Sequence, residues 1–232
     1  MFRKTLRKII PTYAIFPLAL TGILNLLAYQ GAKLVQFLFG TANALDLTTA
    51  WDRAIPFRPA WVLVYVGTFL FWIYQYTTVA RESPEKVCQL AAADLTAKLI
   101  CLVFFVAMPT TNTRTAVEGS GFIPCAMRLI YALDTPTNLF PSIHCFVAWL
   151  GTRYIFECRH LRRRVLTSAL CCAGTLLVFA STLFTKQHVL WDVAGGMAVA
   201  EIGWLVARYT KLPKAVRAVS ERFQKTKLCS YL

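Results

Sequence analysis

The chain has 232 residues, of which 57% are hydrophobic and only 16% charged, against roughly 25% charged in an ordinary soluble domain. With a mean hydropathy of +0.52, a water-soluble fold of this size could not hide its apolar surface, so a secreted domain, a disordered chain and a soluble nucleic-acid binder are excluded. The net charge of +14 comes from Lys and Arg that lie mostly between apolar runs, which is a membrane-topology pattern that also attracts anionic headgroups.

A spanning helix needs about 20 mostly apolar residues. Six stretches qualify, at 13–39, 60–79, 87–108, 141–156, 165–185 and 189–207. They predict an all-α polytopic membrane protein with six transmembrane helices in one bundle, forming a single domain over residues 1–232. Gln30 and Lys33 weaken the second half of the first stretch. Ala42-Asn43-Ala44 resembles a signal-peptidase site, but the apolar run before it is too long for a signal peptide, so an uncleaved span is expected. Basic residues gather at Arg3, Lys4, Arg7 and Lys8, in the link with Arg81 and Lys86, at Arg159 and Arg162 to Arg164, and in a basic tail over 208–232. Six spans put all four groups on one side, which makes that side cytoplasmic with both termini inside. The opposite side receives residues 40–59, residues 109–140 and a tight turn at Lys186-Gln187-His188. Within the second of these, Phe122–Leu133 is apolar enough for a short helix on the membrane surface. Trp51, Trp61 and Trp72 suit interfacial belts.

Eight Cys are present. Cys88, Cys101, Cys145, Cys158, Cys171 and Cys172 fall in or beside apolar runs, with no Cys-x-x-Cys pair and no metal-like Cys/His spacing, so they read as small buried hydrophobes. Cys229-Ser230-Tyr231-Leu232 formally matches a prenylation box, but its middle residues are not both aliphatic and a polytopic protein needs no anchor.

Two of the three His sit on the outer side, each where a helix begins. His144 follows Phe140-Pro141-Ser142-Ile143. A Pro at a first helical position leaves the next N–H groups facing outward as an anion site, to which Ser142 adds a hydroxyl. His188 begins His188-Val189-Leu190-Trp191-Asp192, and a spacing of four puts Asp192 on its helix face. A carboxylate there fixes the tautomer and leaves the other ring nitrogen electron-rich, as a nucleophile requires. His160 lies in the Arg-rich cytoplasmic link and carries no chemistry in this reading.

Phe140-Pro141-Ser142-Ile143-His144 resembles the Pro-Ser-Gly-His motif of the type 2 phosphatidic acid phosphatase (PAP2) superfamily. Ser181-Thr182, five residues, His188, three residues and Asp192 resemble its Ser-Arg-x5-His-x3-Asp motif. Pro109-Thr110-Thr111-Asn112-Thr113-Arg114 partly resembles its Lys-x6-Arg-Pro motif. The resemblance implies a lipid phosphatase working through a phosphohistidine, without metal or other cofactor. His188 would attack phosphorus, Asp192 would orient it, and His144 would protonate the leaving alkoxide. Arg114, Ser142, Ser181 and backbone N–H groups would hold phosphoryl oxygens. The substrate would be phosphatidic acid, phosphatidylglycerol phosphate or a polyprenyl pyrophosphate. The expected partners are that lipid and the bilayer, with no nucleic acid, and a homodimer is a further expectation. Three positions depart from the pattern. Ala107 replaces the Lys, Thr115 the Pro, and Thr182 the Arg. The phosphoryl group still needs neutralising, and Lys186 is the obvious substitute. The branch that moves head groups, such as inositol-phosphorylceramide and sphingomyelin synthases, also tends to lack that first Lys, so transfer to a lipid hydroxyl stands beside hydrolysis. A lipid transporter on the same scaffold is the third reading, disfavoured by intact His144, His188 and Asp192.

Asp94, Lys98, Arg153 and Glu201 fall inside apolar stretches, roughly 14–21 Å below the outer helix ends at 1.5 Å per residue. Charges at such depth need partners. One structural network is expected, with Glu201 paired to Lys98 or Arg153. Gly195-Gly196, just after Asp192, is expected to allow close helix packing rather than to bind phosphate.

Overall fold

The computed structural model describes residues 10–40 and 44–225, without the side chains of residues 36 and 39. The N-terminal basic cluster, the prenylation-like box and most of the signal-peptidase-like site lie outside the described residues. Among the described residues the regular structure is helical apart from one two-residue strand pair. After a single turn at Thr12–Ala14 come α1 (Ile15–Phe39), α2 (Ala50–Ala54), α3 (Val62–Ala80) and α4 (Pro84–Ala107). Then follow α5 (Phe122–Leu133), α6 (Ile143–Ile155), α7 (Arg164–Phe184), α8 (Leu190–Tyr209) and α9 (Leu212–Gln224). Strands β1 (Leu45–Asp46) and β2 (Thr110–Thr111) pair in parallel and tie the segment before α2 to the one after α4.

Helix starts follow the local chemistry. The Ser83 hydroxyl accepts from Lys86 N at 3.1 Å, with Pro84 in the first turn of α4, so two of the orphan N–H positions are answered. Thr49 and Asp52 form a reciprocal capping box on α2, as the Thr-x-x-Asp spacing allows.

Among the described residues, five stretches are long and apolar enough to cross a membrane: Thr12–Val35, Pro59–Ala80, Pro84–Ala107, Arg164–Phe184 and Leu190–Tyr209. Their outward residues, such as Leu26, Leu27, Leu70, Ile73, Leu170 and Leu176, are exposed, as lipid-facing positions of an integral membrane protein are. Five of the six expected stretches are thus helices of spanning length. The remaining stretch forms α6, only 13 residues long, about 20 Å at 1.5 Å per residue. Its surroundings explain the difference. Helices α3, α4, α7 and α8 all pack on α6, and Phe146, Ala148, Leu150 and Ile155 are wholly buried. A helix enclosed by others need not match the roughly 30 Å hydrocarbon core by itself.

Small residues set the packing distances. A Cβ on Gly203 of α8 would lie 2.4 Å from the Ala93 carbonyl of α4, so these two helices touch backbone to backbone. Polar side chains add cross-links. Gln75 of α3 donates to Thr152 of α6 at 2.8 Å, and Thr152 meets Thr175 of α7 at 2.8 Å. The amphipathic α9 returns against α4 and α1, burying Val216, with Ser220 donating to Tyr13 O at 3.3 Å. Part of the expected basic tail is thus a packed helix.

The intramembrane charges divide into two groups instead of one network. Asp94 and Lys98 pair at 2.6 Å on one face of α4, where Tyr76 OH donates to Asp94 at 2.8 Å and Lys98 to Thr21 O at 2.7 Å. Arg153 reaches Glu201 at 3.7 Å and Glu157 at 3.3 Å. Glu157 also binds Lys86 at 2.5 Å and Trp204 Nε1 at 2.7 Å. The expected Arg153–Glu201 pair forms, whereas Lys98 is occupied by its own helix neighbour four residues away.

The Asp94–Lys98 pair is buried, with 0% and 4% exposure. Breaking such a pair from one side leaves an uncompensated buried charge and costs about 3–5 kcal/mol, while an apolar replacement of both partners is near neutral. Lys98→Met should therefore lower the unfolding midpoint in detergent sharply, and Asp94→Leu/Lys98→Met should recover most of it. A Lys98→Met protein as thermostable as the parent would refute this account of the pair.

Candidate active site

The site is assembled where α6 and α8 begin. The turn from α7 to α8 is closed by Gln187 N and His188 N, both donating to Thr182 O, at 2.9 and 3.1 Å. Lys186 adopts φ +54° there, a left-handed residue that ends α7 and redirects the chain. His188 Nδ1 lies 3.1 Å from Asp192 Oδ2. The same oxygen accepts Val189 N at 3.0 Å. A carboxylate oxygen can only accept, so Nδ1 carries hydrogen and the Nε2 lone pair remains available. Asp192 is wholly buried and His188 is 8% exposed.

His144 stands opposite, its ring centroid 5.9 Å from that of His188. It is the second residue of α6, whose N-cap is Ser142. Pro141 therefore precedes the helix instead of opening it. Ser142 is wholly buried. Its hydroxyl accepts from Cys145 N at 3.3 Å and its N–H donates to Asp192 O at 3.0 Å. Part of the donor set expected for an anion is thus used to join α6 to α8. Gly195 and Gly196 permit this join: a Cβ on Gly196 would lie 2.7 Å from Ser142 O, and one on Gly195 2.4 Å from the Phe140 ring.

The other expected phosphate ligands lie as follows. Arg114 reaches the site edge, where Nη1 donates to Tyr131 O at 3.3 Å and to Asp134 O, and Nη2 donates to Gln187 Oε1. Ser181 is buried and donates to Val178 O at 2.7 Å, one turn back in its own helix. The Lys186 ammonium donates to the carbonyls of Asp52 and Ile55, at 2.7 and 2.5 Å. It caps the end of α2, a favourable place for a cation, although its residue borders a cavity that His188 also lines.

Several residues at the site gave no signal in the sequence. Gln187 follows Lys186 without motif. Because Arg114 donates to its Oε1, its amide nitrogen is the opposite end, and that Nε2 is buried with no hydrogen-bond partner among the described residues. The same holds for Arg114 Nε. Tyr65 of α3 lies 2.8 Å from His144 Nε2 and 3.1 Å from Asp134 Oδ2. Tyr29 of α1 donates to Asp134 Oδ1. Trp72, expected in an interfacial belt, has its ring 5.2 Å from that of His144. Such partners are 69 to 105 residues apart in the chain, and spacing rules reach only one or two helical turns.

Two cavities meet at His188. One of about 280 Å³ is walled by Tyr29, Tyr65, Phe69, Trp72 and Leu133 and reaches both histidines. It shares Asn25, Phe69 and Trp72 with a largely apolar cavity of about 490 Å³ that descends to Asp94 and Lys98. The other, of about 200 Å³, is polar, with Asp52, Arg53, Asn112, Thr113 and Lys186 on its walls.

Asp52 is the strut under this arrangement. Its Oδ1 accepts Leu190 N, in the first turn of α8, at 2.7 Å, and its Oδ2 accepts Thr49 N and Oγ1 at 2.9 and 2.6 Å. Burial alone would raise its pKa, but these hydrogen bonds outweigh burial and hold it below the ordinary carboxylate value. A depressed carboxyl stabilises the fold above its unfolded pKa and loses that contribution as pH falls through the lowered one. Asp52→Asn should cost about 1.5–3 kcal/mol at neutral pH, the range for a hydrogen bond to a charged group. It should also flatten the acid limb of stability, read as unfolding midpoint against pH.

A sequence model described as the PAP2 superfamily matches residues 54–206, which run from the end of α2 to near the end of α8 and include both histidines and Asp192. No curated protein and no solved structure matches the chain. With well over half its length inside the match, the chain belongs to the PAP2 superfamily.

Proposed function

We propose that the protein is a membrane lipid-phosphate phosphatase that hydrolyses a phosphomonoester or pyrophosphate of a lipid through a phosphohistidine on His188. The observation that carries this reading is the His188–Asp192 pair facing His144 across 5.9 Å between ring centroids, a gap that suits a phosphoryl group. His188 Nε2 attacks phosphorus while Asp192 holds the imidazolium that forms. His144 gives its proton to the leaving alkoxide, then takes one from the attacking water as the P–N bond breaks. Membership of a superfamily of phosphatases and phosphotransferases supports the reaction class.

The phosphoryl oxygens are received by Arg114 Nε and Gln187 Nε2. Both are buried donors without partners among the described residues, a costly state that a bound oxyanion would relieve. They supply hydrogen-bond donors, one of them the motif cation Arg114 itself, where the cations expected at Ala107 and Thr182 are missing, while Lys186 is engaged with backbone carbonyls. The apolar cavities beside His144 suit an acyl or prenyl chain entering from the bilayer. The short helix α5 lies on the membrane surface, the site opens on the extracytoplasmic face, and both termini are cytoplasmic.

A second reading has its own observation. The polar cavity on the other side of His188 has room for a hydroxyl-rich head group, so transfer of a phosphoryl head group to a lipid alcohol competes with hydrolysis. Purified protein incubated with phosphate-labelled lipid phosphates and glycerophospholipids, with diacylglycerol and ceramide as acceptors, separates the two. Free phosphate is the expected product, and label in a new lipid would establish transfer instead. His188→Ala should abolish either product, and Gln187→Leu should lower kcat about 100–1,000-fold, the order expected for one lost oxyanion donor. Full activity in His188→Ala would end the phosphohistidine mechanism.

A further inference from the structure

His188 has its carboxylate four residues away in the chain. His144 has no acidic neighbour in sequence, yet the fold supplies one at one remove. Tyr65 OH lies 3.1 Å from Asp134 Oδ2 and 2.8 Å from His144 Nε2. A phenol has one hydrogen to give, and a carboxylate oxygen can only accept. The Tyr65 hydrogen therefore points to Asp134, and its oxygen accepts Nε2–H of His144. That fixes the neutral tautomer: Nε2 carries hydrogen and Nδ1 holds the lone pair. His144 Nδ1 is buried and has no partner among the described residues, on a ring that lines the cavity shared with His188.

We infer that Tyr65 and Asp134 are positioning residues that make His144 the acid–base group of the reaction, through Nδ1, by stabilising its doubly protonated form. The inference rests on the phosphohistidine reading for its place in the reaction, but not for its geometry. In the first half-reaction the proton on Nδ1 moves to the leaving oxygen as the phosphorus–oxygen bond breaks and the bond to His188 Nε2 forms. His144 is left neutral, with Nε2–H still on Tyr65. In the second, the attacking water or alcohol gives its proton to Nδ1 as its oxygen bonds to phosphorus and the bond to His188 breaks. The imidazolium that results is held through the Tyr65 dipole by the Asp134 charge. The Tyr65–Asp134 chain itself loses no proton, so the balance closes at Nδ1.

The carboxylate is anchored from two sides. Tyr29 of α1 donates to its other oxygen, and Arg114 donates to its backbone carbonyl. Arg114 also holds Gln187, next to His188, so one guanidinium links both histidine arms. The titratable and charged groups bearing on His144 are Tyr65 from α3, His188 and its partner Asp192 at the start of α8, and Asp134 after α5. Tyr29 from α1 and Arg114 stand behind Asp134.

The test is a titration of His144 that does not need turnover. The chain has three histidines, so isotope-labelled imidazole signals in detergent micelles can be assigned with His160→Gln and His188→Gln. In the parent protein His144 should carry its neutral-state hydrogen on Nε2. Tyr65→Phe and Asp134→Asn should each lower its titration midpoint by about one pH unit, because both remove support for the charged form. In the same variants the basic limb of kcat should move down by the same amount, with KM little changed and unfolding midpoints recorded alongside. A merely structural role would lower kcat at every pH without moving the limb. Folded Tyr65→Phe and Asp134→Asn proteins whose His144 titrates as in the parent would overturn the inference. A shifted titration in a protein that turns over no lipid phosphate would leave this arm standing and remove the proposed function.

Discussion

Asp192 is the residue on which the site is built. One of its carboxylate oxygens holds both His188 Nδ1 and Val189 N, and its backbone carbonyl holds Ser142 N. The orientation of His188, the first turn of α8 and the docking of α6 on α8 are therefore one set of hydrogen bonds. Gly196 makes them reachable, since any side chain there would push the Ser142 carbonyl away. A buried carboxylate is costly without donors. Here the donors are the parts of the machine itself, so loss of the carboxylate would release the histidine and the helix end together.

The bilayer imposes the second constraint. Helices in lipid gain little from burying apolar surface against one another, so close backbone approach and polar cross-links must hold them. The Gly203–Ala93 contact, the Gln75–Thr152–Thr175 ladder and the paired Asp94 and Lys98 are three forms of the same answer. All lie on the helices that carry the site or on those packed against them. At the opposite end Glu157 gathers Lys86, Arg153 and Trp204, while Glu82 accepts the N–H groups of Arg159 and His160 and meets the His160 ring at 2.8 Å. His160 thus has a loop-closing contact and no place near the reacting groups.

What the sequence disclosed, and what it did not, follows from distance along the chain. His188 and Asp192 are one helical turn apart, so their pairing was readable from spacing. The apolar runs gave the helices, and α5 was legible as a short apolar segment. The length of α6 was not, because an enclosed helix and a lipid-facing one look alike in composition. The division of the four intramembrane charges was hidden for a related reason: equal depth does not fix which face of a helix a charge occupies. Lys186 shows the limit of arguing from charge need, since this lysine two residues from His188 caps α2. The Tyr65–Asp134 arm joins residues 69 apart, and only the tertiary fold brings them to His144.

The two histidines are held differently, which fits the two tasks proposed for them. His188 is held through Nδ1 by direct contact with a buried carboxylate, which leaves Nε2 as a lone pair with strong nucleophilic character. His144 is held through Nε2 by a neutral phenol, with the carboxylate one step behind. In the proposed reading the Tyr65 phenol and the Asp134 carboxylate behind it support the charged form of His144 through Nε2, which leaves Nδ1 to exchange the proton. The residues that complete this asymmetry come partly from α1, through Tyr29, and α1 lies outside the matched segment 54–206. The same helix walls the apolar cavity through Asn25 and Tyr29. In the proposed reading, the segment that shapes the lipid's berth also tightens the acid–base arm, so occupancy of the cavity and readiness of His144 are physically connected.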